Sequence, residues 1–154
     1  MNSQLVLFVC THNKGRSQIA NAFFDQLRDP DKARSVSAGI ELVAQVQSEV
    51  IEVIEVIEVM REVDIDLSAM RPIELTGRML TELNFLVTLG CPERCPTIPL
   101  SRRQDGRSRD PSNLSVDEVR AIRDEIRSLV SALVEEKGWA RDPRSRPQLV
   151  PTSS

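Results

Sequence analysis

Only three cysteines and a single histidine occur among the 154 residues. An odd, small cysteine count excludes the paired framework that holds a small secreted domain together. One histidine leaves little for a metal centre built on imidazole. No apolar run approaches the roughly 18 residues that a membrane span needs. The chain runs from Met1 into Leu5-Val6-Leu7-Phe8-Val9 with neither a basic start nor a long apolar stretch, so no signal peptide is visible and the cytoplasm is the expected compartment. An excess of positive charge is also missing. Lys and Arg total 20 against 23 acids, a net charge of −3, which argues against a broad basic surface for nucleic acid. What remains, 40% hydrophobic and 28% charged residues, is the composition of one folded domain with a real core, too short for two.

Leu5 to Val9 is a continuous β-favouring apolar run, the pattern of a central strand covered on both faces, as in parallel sheets. From Ser17 the pattern becomes helical, with Ile19, Ala20, Phe23, Phe24 and Leu27 at helical spacing until Asp29-Pro30 stops it. Ser35 to Ala38, ending at Gly39, and Asn84 to Leu89, ending at Gly90, read as further strands. Ser115 with Glu118 forms a capping-box pattern that opens an amphipathic helix through Ile122, Ile126, Val130 and Leu133 to Lys137-Gly138. Residues 49–60 repeat a triplet, Glu-Val-Ile three times and then Glu-Val-Met, whose period fits neither a strand nor a helix. Seven of its twelve residues are β-branched, yet the strand-helix alternation needs a crossover there, so a helix is expected. The fold expected is α/β, a small parallel four-stranded sheet with helices on both faces, over residues 1–138. Residues 139–154, rich in Pro, Arg and Ser, read as a disordered tail.

Chemistry concentrates in Cys10-Thr11-His12-Asn13-Lys14-Gly15-Arg16-Ser17, between the first strand and the first helix. At such a junction the backbone N–H groups of Thr11, His12, Asn13, Lys14 and Gly15 can point inward and cradle a tetrahedral oxyanion. Arg16 can grip two of its oxygens with a planar fork. Cys10 faces the same cradle, where helix dipole and guanidinium favour a thiolate, and Ser17 can donate a hydrogen bond to it. The plainer alternative is a buried cysteine followed by an ordinary turn.

Val6 to Cys10 together with Arg16-Ser17-Gln18-Ile19-Ala20 resembles the low-molecular-weight protein tyrosine phosphatase superfamily. Within it, His12, Gly15 and Gln18 side with the arsenate reductases. The likeness continues through Ser37-Ala38-Gly39, Asp64 to Ser68, Arg71-Pro72 and Val87 to Cys91, covers roughly residues 4 to 137, and breaks at the triplet repeat. The resemblance implies a low-molecular-weight phosphatase-like fold and arsenate reduction by attack of Cys10 on arsenic. It implies Asp110, in Asp110-Pro111, as the general acid, and a thiol-disulfide relay through Cys91 and Cys95. No bound cofactor or metal is implied; an external thiol reductant, thioredoxin or another donor, completes the cycle. Spaced i and i+4, Cys91 and Cys95 would have Cα atoms about 6 Å apart in a helical turn, inside disulfide range. Arg102, Arg103, Arg107 and Arg109 precede Asp110 and read either as solvated surface or as charges that steer an anion.

Two other functions compete. A phosphatase of the same fold needs Cys10, Arg16, Ser17 and Asp110 but neither Cys91 nor Cys95, and the complete lack of tyrosine counts against a phosphotyrosine pocket. A non-catalytic oxyanion- or partner-binding module would use the triplet helix as its docking face.

Overall fold

The computed structural model describes residues 3–11, 15–40, 47–90, 98–106 and 114–141. Strand β1 (Gln4–Cys10) is central: Leu5 to Cys10 are all buried, as a strand covered on both faces requires. It pairs in parallel with β2 (Ala33–Gly39) on one side and β3 (Phe85–Leu89) on the other, and β4 (Arg103–Gly106) joins β3 at the far edge. Because all four strands run the same way, their C-terminal ends share one edge of the sheet.

Alternation along β1 divides the core. Val6, Phe8 and Cys10 face one layer, packed with Ile19, Phe23 and Phe24 of α1 (Arg16–Leu27) and with Ile122, Ile126 and Val130 of α4 (Val116–Glu136). Leu7 and Val9 face the other, under Met79 and Leu80 of α3 (Gly77–Glu82) and Leu83 after it. Helices therefore cover both faces, as expected. The capping box is present: the Ser115 hydroxyl accepts from the Glu118 N–H, and the Glu118 carboxylate accepts from the Ser115 N–H. No helix among the described residues is long and apolar enough to cross a membrane.

The triplet repeat is helical, within α2 (Gln47–Arg61). Val56, Val59 and Met60, at i, i+3 and i+4, are buried against α4 and α1, whereas Ile54 is 51% exposed. A period of three drifts around a helix turning about 100° per residue, and among the side chains described it is the C-terminal part of the repeat, Val56, Val59 and Met60, that holds an inward face.

Arg123 of α4, itself buried, clamps the end of α2. It donates to the Val59 carbonyl at 2.8 Å and to Glu62 Oε1 at 2.8 Å, while Arg120 donates to Glu62 Oε2 at 2.8 Å. Hydrogen bonds from Arg120 and then Arg123 lower the Glu62 pKa from 4.5 to about 2. A carboxylate lowered on folding contributes stability above its unfolded pKa and loses it as pH falls through the folded one. Glu62→Gln is thus expected to melt below wild type at neutral pH, with the gap closing between about pH 4.5 and 2. Melting temperatures followed by circular dichroism across that range check it; a gap that stays constant down to pH 2 would assign the loss to shape rather than charge.

The packed chain extends past residue 138. Trp139 is buried edge-on against Phe24 and Phe85, with centroids 6.0 and 6.2 Å away, and its carbonyl accepts from the Asp29 N–H at 2.7 Å. Arg141 Nε donates to the Arg28 carbonyl at 3.0 Å. The expected disordered stretch beyond this point, 142–154, lies outside the described residues.

Candidate active site

β1 carries Cys10 to the C-terminal edge of the sheet, and α1 begins only six residues later at Arg16, so the chain passes from strand end to helix N-terminus in one short loop. The helix N-cap is Gly15, which has no side chain with which to cap the first turn. Cys10 is 2% exposed, and its Sγ stands 3.0 Å from Ser17 Oγ, which is fully buried. Arg16, between them in the helix start, is also buried. A guanidinium removed from water is normally held by anionic or strongly accepting groups. The Cys10 and Ser17 side chains therefore meet at one strand-helix junction that also buries Arg16, and there a helix dipole favours negative charge. Thr11 is half-buried beside them, while His12, Asn13 and Lys14 lie outside the described residues.

Neighbouring strand ends hold this junction in place. Cys10 pairs with Gly39, and the Cys10 carbonyl accepts from the Ile40 N–H at 3.1 Å. Gly39 in turn donates to the Ile73 carbonyl at 2.7 Å and accepts from the Leu75 N–H at 2.8 Å, so 73–75 continue the sheet edge beside β2. On the other side Val9 pairs with Thr88, and β3 ends at Gly90, whose φ of 79° is a left-handed turn that favours glycine. Cys91 and Cys95 follow directly, outside the described residues, as does Asp110.

Beyond β3, the Thr88 hydroxyl donates to Asp105 Oδ1 at 2.7 Å, and Arg103 approaches the same carboxylate at 3.4 Å while donating to the Ile98 carbonyl at 3.0 Å. Arg103 is thus engaged in holding β4, not displayed as a steering charge; Arg102 is exposed, and Arg107 and Arg109 are outside the described residues. A Cβ at Gly106 would stand 2.8 Å from Leu129 Cδ1 and 3.2 Å from the Thr88 carbonyl oxygen, so glycine permits the end of β4 to reach α4. Reading the sequence missed the Thr88–Asp105 pair and the 73–75 extension. The only hint of the first is a polar residue close before a glycine at each strand end, Thr88-Leu89-Gly90 and Asp105-Gly106. Among the described residues, no group of three or more His, Cys, Asp or Glu is placed to hold a metal ion.

Comparison with known proteins bears on this geometry. The sequence profile of the family described as low molecular weight phosphotyrosine protein phosphatase matches residues 5–141. Arsenate reductase 2 of Staphylococcus saprophyticus is 32% identical over 129 residues, which cover 82% of this chain and 92% of that protein. Among solved structures, the thioredoxin-dependent arsenate reductase of Corynebacterium glutamicum superposes with a TM-score of 0.67 at 26% identity, covering 87% of this chain; the match spans 61% of that longer chain. The tyrosine phosphatase Wzb of Escherichia coli K30 superposes equally well, at 0.67, but at 17% identity shares the fold alone; the match covers 89% of this chain and all of that one.

Proposed function

The chain belongs to the low-molecular-weight phosphotyrosine protein phosphatase family, and from that premise we propose that it is an arsenate reductase. The observation that carries the reading is the buried Cys10 Sγ, 3.0 Å from Ser17 Oγ, at a strand-helix junction that also buries Arg16. The arsenate reductases that share about 30% of its sequence support the choice of substrate.

In this mechanism the loop amides and Arg16 hold the arsenate oxygens and the Cys10 thiolate attacks arsenic. One oxygen leaves as water, protonated by Asp110, and a Cys10 S–As(V) bond forms. The Cys91 thiolate then attacks Cys10 Sγ. The S–As bond breaks with its electron pair going to arsenic, so As(V) departs as arsenite while two thiols become a Cys10–Cys91 disulfide. Cys95 attacks Cys91, forming Cys91–Cys95 and freeing Cys10. An external dithiol such as thioredoxin reduces that last disulfide and is itself oxidised. No bound cofactor takes part.

Arsenate supplied with the thioredoxin system, with glutathione or with mycothiol, and arsenite counted per enzyme, tests the reading. Many arsenites per enzyme with the thioredoxin system are expected. Hydrolysis of an aryl phosphate with no arsenite under any thiol would make the chain a phosphatase, since that reaction uses the same loop without the two later cysteines. Neither product would leave an oxyanion-binding module.

A further inference from the structure

A depression of about 150 Å³ opens beside the first turn of α1 and has no part in the chemistry above. It is lined by Gln18 of α1, by Val56 and Ile57 of α2, and by Leu67, Met70 and Arg71 of the segment after α2. Apart from Gln18 and Arg71 its walls are apolar. Its volume suits a single apolar side chain or ring. Arg71 is exposed and has no hydrogen-bond or ion-pair partner among the described residues, so a bidentate donor faces solvent next to an apolar hollow.

Arsenate has no apolar surface to bury, so the hollow does not serve it. The remaining reactant is the thiol donor. Among the described residues four large apolar side chains are exposed, and three of them, Ile54, Met70 and Ile73, lie on the two segments that wall the hollow. Three exposed apolar side chains on the segments that wall one hollow are more than a small thiol would cover, and exposed apolar side chains beside a pocket are the kind of surface that protein contacts use. Its position fits as well. Residues 73–75 are hydrogen-bonded to Gly39 at the end of β2, three strand spacings or about 15 Å across the sheet edge from the end of β3, after which Cys91 and Cys95, the cysteines that the donor reduces, follow in the chain. Even the small interfaces of transient redox encounters, under about 1,200 Å², would cover both.

We infer that this hollow docks a protein dithiol donor of the thioredoxin kind, which seats one apolar side chain between α2 and Met70 and sets a carboxylate against Arg71. The inference rests on the arsenate-reductase reading for the reaction that follows docking. Arg71→Glu and Met70→Glu change exposed residues outside the catalytic loop. Each is expected to raise the KM for thioredoxin about tenfold or more, with dithiothreitol-driven arsenite release and the KM for an aryl phosphate held within about twofold. An unchanged KM for thioredoxin in both variants overturns the inference. So does a parallel loss with dithiothreitol, which would place the effect in the catalytic loop, or a raised KM for the aryl phosphate, which would make the hollow a substrate site. A wild-type dimer that both substitutions dissociate, with the KM for thioredoxin unmoved, would make it a self-interface. Methyl NMR with thioredoxin as titrant gives a readout free of turnover: the Ile54, Met70 and Ile73 methyls should shift in wild type and not in Arg71→Glu. Absence of those shifts in wild type overturns the docking. A wild type that releases no arsenite yet shows them would sink the activity and not the surface.

Discussion

Cys10→Ser is expected to lower arsenate turnover on the order of a thousandfold or more, and to remove any aryl phosphatase activity with it. A serine hydroxyl has no comparable anion fraction at neutral pH, and neither reaction has another nucleophile in the cradle. Binding should separate from turnover: Arg16 and the loop amides remain, so inorganic phosphate should still bind Cys10→Ser within a few-fold of wild type. Arg16→Lys should show the reverse emphasis, since a point charge replaces the two-pronged grip and affinity falls. Ser17→Ala should cost much less than Cys10→Ser, because it removes one hydrogen bond to sulfur and leaves the sulfur itself. Steady-state rates and isothermal titration with phosphate measure both quantities. Turnover of Cys10→Ser near the wild-type rate would reject Cys10 as nucleophile, and unchanged phosphate affinity in Arg16→Lys would remove Arg16 from the site.

Cys91→Ser and Cys95→Ser should each stop multiple-turnover arsenate reduction while leaving aryl phosphate hydrolysis largely intact, because phosphoester chemistry transfers no electrons. The expected separation is complete for one activity and less than about twofold for the other. After a single turnover without reductant, mass spectrometry of Cys95→Ser should find a Cys10–Cys91 disulfide, whereas wild type should accumulate Cys91–Cys95. A Cys10–Cys95 bond in Cys91→Ser would reverse the order of attack. If neither disulfide forms and both variants still reduce arsenate with glutathione or mycothiol, a thiol-adduct route replaces the internal relay.

Elements whose burial is written in a local pattern were legible from sequence. β1 is apolar from Leu5 to Cys10 because both its faces are covered there, and α4 announces its start with Ser115 and Glu118 and its inward face with Ile122, Ile126 and Val130. Elements fixed by distant contacts were not. β4 reads Arg-Gln-Asp-Gly, with no apolar residue at all; its place comes from the Thr88–Asp105 hydrogen bond and from Gly106 fitting under Leu129. The six-residue α3 has no fully buried residue, so no period marks it. Trp139 sits in a polar context and is buried in a core that includes Phe24 and Phe85, residues far away in the chain. At the site, Cys10, Arg16 and Ser17 were legible because one loop carries all three, and the hollow was not, because its walls come from three separate segments.

The strand order has a consequence for how the molecule is made. β1 is the first of the four strands to leave the ribosome, yet it belongs at the middle of the sheet, and its second neighbour, β3, is synthesised some eighty residues later. During that interval one complete edge of an apolar strand has no partner of its own chain, and such edges recruit strands from other chains. The nascent protein is therefore at greatest risk of aggregation before Phe85–Leu89 emerges. The site shares this timing, since the strand that presents Cys10 is locked on both sides only when β3 arrives.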